Sequence, residues 1–114
     1  MSVASDLIRG NTETIILAQL MKKDNYGYMI NKAIHGMTGG RFELKEATLY
    51  TAFRRLEDEG CIASYWGDET TGARRRYYSI TELGRESYQL RKREWKTAEA
   101  LIDKLLTGGE EGSL

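Results

Sequence analysis

The sequence predicts a mainly α fold with a small β-hairpin: a winged helix-turn-helix plus a C-terminal dimerisation helix. Three observations predict it. Apolar residues recur at helical spacing in two neighbouring segments, 26–37 and 49–56, separated by Gly39, Gly40 and a short link. Two β-rich runs, CIASYW and RRYYSI, flank the turn-rich loop GDETTGA. A last amphipathic stretch after Thr81 carries a sparse seven-residue repeat. The expected organisation is a winged helix-turn-helix with its N-terminal helix over 1–80, a dimerisation helix over 81–107 and a disordered tail over 108–114.

The first helix is expected over 5–22. Leu7 and Ile8 precede a denser run of Ile15, Ile16, Leu17, Leu20 and Met21, apolar on more than one face, so the helix packs on two neighbours. Gly10 and Asn11 interrupt it, and Asn11 is a candidate cap for a second start. After a turn at 22–25, Tyr26, Met29, Ile30, Ala33, Ile34 and Met37 mark the second helix. Thr38, Gly39 and Gly40 close it. An extended link over 41–45 leads into the stretch ELKEATLYTAFRRLEDEG at 43–60.

That stretch has three faces. Leu49, Ala52, Phe53 and Leu56 form a buried stripe. Thr48, Thr51 and Arg55 share an adjoining face, and Tyr50 and Arg54 form a strip beside them. Hydroxyls and guanidinium groups outside a short helix suit a DNA groove, because they donate to phosphates and base edges. An ordinary solvated helix face has the same look, so the surrounding elements decide. The hairpin that follows is a wing, and Arg74, Arg75 and Arg76 sit where its tip meets its second strand, placed for a phosphate backbone or a minor groove. Trp66 is read as part of the first wing strand.

Gly60 stops the helix, and Thr81 caps the last one, with Glu82 in its first turn. Tyr88, Trp95 and Ile102 are spaced by sevens along it, as are Ala98 and Leu105, which suggests a seam with a second copy of the chain.

Composition bounds the function. The 114 residues suit one small domain, and 40% hydrophobic with 30% charged residues is globular. Seventeen basic and seventeen acidic residues cancel, which argues mildly against nucleic acid, but the bases cluster at 54–55, 74–76 and 91–93. There is no apolar run of about 18 residues and no signal-like N-terminus, and Cys61 is a lone cysteine. The expectation is a cytoplasmic protein with no membrane partner. His35 and Cys61 offer no metal spacing and no nucleophile–base pair, so neither a cofactor nor an enzymatic activity is expected.

The motifs NYGYMI at 25–30, ELKEATLYTAFRRLEDEG at 43–60, SYWGDE at 64–69 and RRRYYSITELG at 74–84, in this order, resemble the PadR family of bacterial transcriptional regulators over nearly the whole chain. The single helix after the wing is similar to the short subfamily that includes multidrug-sensing repressors. The resemblance implies a homodimer in which each C-terminal helix crosses the partner's N-terminal helix. The interface implied comprises Ile8, Ile15, Trp95, Ala98, Ile102 and Leu105. It also implies a flat pore at the dimer axis where planar aromatic compounds stack on paired tryptophans, the matching position being Trp95. Neighbouring pocket positions fall at Thr14, Leu17, Ala18, Tyr88, Lys92 and Glu99, of which Thr14 and Lys92 make the cavity more polar than the family pattern.

Two readings of function compete. In the first, the chain is a repressor released by a planar aromatic ligand. Thr48, Tyr50, Thr51, Arg54 and Arg55 enter the major groove, Tyr28 touches a phosphate, and the wing arginines hold the flanking backbone. A two-fold dimer then reads a near-palindromic double-stranded operator with half-sites about 34 Å apart. In the second, the chain is a winged-helix protein–protein interaction module without DNA or ligand, which zero net charge favours slightly.

Overall fold

In the computed structural model, which describes residues 3–68, 72 and 74–108, five helices and three strands follow in the order α1 (Val3–Arg9), α2 (Thr12–Lys22), β1 (Asn25–Tyr26), α3 (Gly27–Met37), α4 (Glu46–Asp58), β2 (Ile62–Trp66), β3 (Arg76–Ile80) and α5 (Glu82–Thr107). The expected tail at 108–114 lies, beyond Gly108, outside the described residues, as do 69–71 and 73 of the wing loop.

The N-terminal helix is two helices. Asn11 does not cap the second with its side chain: its Nδ2 donates backwards to the Leu7 carbonyl at 3.0 Å, closing α1. Helix α2 then buries Ile16, Leu17 and Leu20.

The expected hairpin is a three-stranded antiparallel sheet, ordered β1-β3-β2. Tyr26, expected to open the helical stripe, instead pairs with Tyr77, and Asn25 pairs with Tyr78, before the chain turns into α3 at Gly27. Two residues are too few to show an alternating pattern, so β1 has no sequence signature of its own.

Between α3 and α4 the chain reverses at Gly39 (φ 62°) and Gly40 (φ 80°), a conformation that costs glycine little. Asn31 then clamps the link from both sides. Its Nδ2 donates to the Leu44 carbonyl at 2.7 Å, and its Oδ1 accepts from the Leu44 N–H at 2.8 Å. This holds 43–45 extended, as the expected link over 41–45 requires, so α4 starts at Glu46, and it seats Phe42 and Leu44 in the core.

The core gathers Ile16, Leu17 and Leu20 of α2, Ile30 and Ile34 of α3, the buried stripe of α4, and Cys61, Ile62 and Tyr78 of the wing base. Phe53 stacks on Tyr78 with ring centroids 4.0 Å apart, fastening α4 to the sheet. Thr81 joins the sheet to α5: its Oγ1 accepts from the Gly84 N–H at 3.0 Å and donates to the Gly60 carbonyl at 2.7 Å, while its N–H donates to the Cys61 carbonyl at 3.0 Å. The first half of α5 packs on α2 and the sheet. Its last turns leave Leu101, Leu105 and Leu106 exposed.

Candidate nucleic-acid interface and apolar groove

Helix α4 turns Leu49, Ala52, Phe53 and Leu56 into the core, which fixes what it presents outward. Ala47, Thr51, Arg54 and Asp58, at i, i+4, i+7 and i+11, make the most outward strip, and all four are exposed. Arg54 has no ion pair among the described residues. Ala47 was not singled out in the sequence because a lone alanine carries no polar signal, yet it is exposed on this strip.

Tyr50 leans across the α3 start. Its ring meets Phe53 edge-on at 5.5 Å, and its hydroxyl lies over Gly27, where a Cβ would come within 2.6 Å of that oxygen. Glycine at 27 is therefore what lets Tyr50 lie flat there. Tyr28 beside it is 68% exposed and shares a shallow groove with Asn31, Lys32, His35 and Glu43.

Thr48, Thr51 and Arg55 do share a face, but that face looks onto the body of the protein as well as outward. With Arg9, Thr12, Glu13, Thr14 and Arg91 they line a cleft of about 610 Å³. Across it, Arg55 Nη1 lies 3.0 Å from Glu13 Oε2, and Arg91 Nη1 lies 3.1 Å from Glu13 Oε1. Arg91 Nη2 also approaches Glu59 Oε1 at 3.5 Å.

The wing arginines, adjacent in sequence, are separated by strand alternation. Arg75 lies over the Tyr26 ring at 5.0 Å, on the sheet face where Tyr65 and Tyr77 stack at 5.6 Å. Arg76 turns the other way: its Nη2 donates to Ser64 Oγ at 2.7 Å and lies 3.6 Å from Glu57 Oε1. Arg74 Nε donates to the Gly67 carbonyl at 3.2 Å. Arg74 and Arg76 both lie against the Trp66 ring, at 5.9 Å, so that indole braces two cations. Tyr65 donates to Asp24 Oδ2 at 2.7 Å, and this hydrogen bond raises its pKa above the ordinary tyrosine value.

Next to the cleft, which shares Thr14 with it, α1, α2 and α5 form an apolar groove of about 280 Å³. Thr14 and Ala18 of α2 and Tyr88, Lys92 and Trp95 of α5 line it together, with Ile8 and Ile15 beside them. Two of the expected pocket positions lie outside this groove. Leu17 has no exposed surface, because it faces the core from the other side of α2. Glu99 lies one turn further along α5, in a neighbouring hollow with Leu7, Trp95 and Ile102. Ala98 is half-buried, while Ile102 and Leu105 are exposed in the single protomer. Among the described residues no group of three or more His, Cys, Asp or Glu side chains is arranged to hold a metal ion. Cys61 is buried, and His35 is exposed, 3.9 Å from Glu43.

Comparison with known proteins places this arrangement. The profile of the transcriptional regulator PadR-like family matches residues 16–90. A Lysinibacillus sphaericus protein described as "Uncharacterized protein X" is 43% identical over 108 residues, covering 95% of this chain and 99% of that one. The solved structure of a transcriptional regulator from Clostridium thermocellum is 46% identical, with a TM-score of 0.82 over 90% of this chain and 97% of that one. A PadR family transcription regulator from Clostridium difficile R20291 is 35% identical, with a TM-score of 0.71 over 84% of this chain and 98% of that one.

Proposed function

Since the chain belongs to the PadR-like family of transcriptional regulators, DNA-binding proteins that typically dimerise and are not enzymes, we propose that it is a homodimeric repressor that reads a near-palindromic operator through α4. The observation that supports this reading is the outward strip of α4, where Ala47, Thr51 and Arg54 are exposed, Ala47 and Thr51 at the mouth of the cleft and Arg54 without an ion pair among the described residues, with Tyr50 and Thr48 beside them. In this reading Tyr28 and the wing residues Arg74, Arg75 and Arg76 are the backbone contacts, although Arg76 is also tied to Ser64 and Glu57. In this reading residues 1–80 read DNA and 81–107 join the protomers. The exposed apolar side chains on the last turns of α5, Leu101 at 55%, Leu105 at 79% and Leu106 at 80%, support a helix that finishes its packing against a second copy.

The test is selection of duplexes from a random-sequence pool, followed by footprinting and a salt titration. The expected result is an enriched near-palindrome with half-sites about one helical turn apart and an affinity that falls steeply with salt. A dimer that enriches no sequence would favour the protein–protein module instead.

A small-molecule role has its own supporting observation: Trp95 and Tyr88 wall a mainly apolar groove, with Thr14 and Lys92 as its polar members, next to the proposed dimer seam. A planar aromatic compound stacked on Trp95 would move the DNA equilibrium only by favouring one dimer geometry over another. Titration with proflavine, a planar cation, should quench tryptophan emission in the wild type and much less in Trp95→Phe. Equal quenching in both proteins, through Trp66 alone, would remove Trp95 as the platform.

A further inference from the structure

Sequence alone places Arg55 among the DNA contacts, but its partners point elsewhere. We infer that Arg55 and Glu13 form a positioning pair that sets the angle of α4, and that Arg55 does not contact DNA. The inference rests on the reading of α4 as the DNA-reading helix.

The geometry is that of a strut. The Glu13 carboxylate stands on the first turn of α2, its side chain only 15% exposed, and each oxygen takes one guanidinium: Oε2 that of Arg55 from α4, Oε1 that of Arg91 from α5. One carboxylate therefore ties three helices together. Arg91, 28% exposed, extends the tie to Glu59 just past the end of α4. Helix α4 is thus held at two points along its length. Arg55 is itself 61% exposed, but its Nη1 is committed to Glu13, and withdrawing it to reach a phosphate would leave one oxygen of a carboxylate whose side chain is 15% exposed without its partner. Arg54, next in sequence, has no such tie and stands on the outward strip. The two arginines are divided accordingly: Arg54 reads and Arg55 positions.

The strut stands on the same two helices, α2 and α5, that line the groove. Glu13 precedes Thr14, and Arg91 precedes Lys92, so the helices whose other faces line the groove carry the partners of α4. Any change in the spacing of α2 and α5 is delivered to α4 through these ion pairs.

The test compares full-length wild type, Arg55→Ala, Glu13→Gln and the double variant on two probes, the duplex that the wild type enriches from a random pool and a scrambled duplex of equal length. Glu13→Gln keeps the side-chain volume, so its effect is read without a cavity. Each single variant should weaken the enriched duplex about tenfold, within the range known for residues that couple elements without touching the ligand. Binding of the scrambled duplex and the slope of log K against log[salt] should stay unchanged. The double variant should be no weaker than the poorer single one, because both remove the same tie. A fall in that slope by about one in Arg55→Ala, with both duplexes weakened alike, would make Arg55 a phosphate contact and overturn the inference. So would tighter binding by Glu13→Gln, which would make Glu13 a competitor of DNA. Amide exchange in the DNA-free proteins separates this inference from the reading it rests on. Faster exchange along α4 in both single variants supports the strut, and unchanged exchange sinks it, whatever DNA the wild type selects.

Discussion

Arg54→Ala is expected to weaken binding of the selected operator by about 2 kcal/mol, roughly thirtyfold, and to relax the sequence preference at the base it reads. The size follows from its surroundings. Arg54 lies on the exposed strip of α4 with no ion pair among the described residues, so no internal partner has to be given up when DNA arrives. Its Cα is fixed because the next turn of the helix is anchored: Phe53 is stacked on Tyr78, and Leu56 has no exposed surface. A flexible side chain on a rigid base is suited to a bidentate contact with guanine. Electrophoretic or anisotropy titrations against the operator and its single-base variants measure the effect. A loss that is the same for every sequence would assign Arg54 to the backbone rather than to a base edge.

The contrast between Arg54 and Arg55 marks how far the sequence could be read. Periodicity alone identified the buried stripe of α4, because burial repeats every turn and four apolar residues share one side. The same periodicity gave Thr48, Thr51 and Arg55 a common face, which they have. What it could not give was the carboxylate across from them, 42 residues earlier in the chain. Side-chain partners distant in sequence have no local signature, and they decide whether an arginine is a reader or a strut. The wing shows the same limit. Arg74, Arg75 and Arg76 look like one cluster until strand alternation sends Arg75 towards Tyr26 and Arg76 towards Glu57. Leu17 failed as a pocket residue for a related reason: α2 is apolar on both sides, and only packing tells the core side from the groove side.

A larger effect is expected at the root of α5, where Gly84→Ala should cost about 3 kcal/mol or more and lower Tm by roughly 12–15 °C, compared at equal protomer concentration. The reason is space. A Cβ built on Gly84 would stand 2.0 Å from the Cys61 carbonyl oxygen and 2.7 Å from Ile80 Cγ1. The first of these is a backbone atom, held by the Thr81 N–H at 3.0 Å, so it cannot swing aside as a flexible side chain would. Relief requires α5 to slide off the wing base, which breaks the Thr81 cap on the Gly84 N–H. The slide also carries Arg91 away from Glu13 and Trp95 away from the α2 wall of the groove, so operator affinity should fall with stability. Gly36→Ala is the paired control. Gly36 also lies inside a helix, but nothing stands within 4 Å of its added Cβ, and alanine there should stabilise by up to about 1 kcal/mol. Thermal unfolding of both variants checks the argument. If Gly84→Ala melts within about 2 °C of the wild type, the close approach of α5 to the wing base does not hold α5 against the sheet in solution.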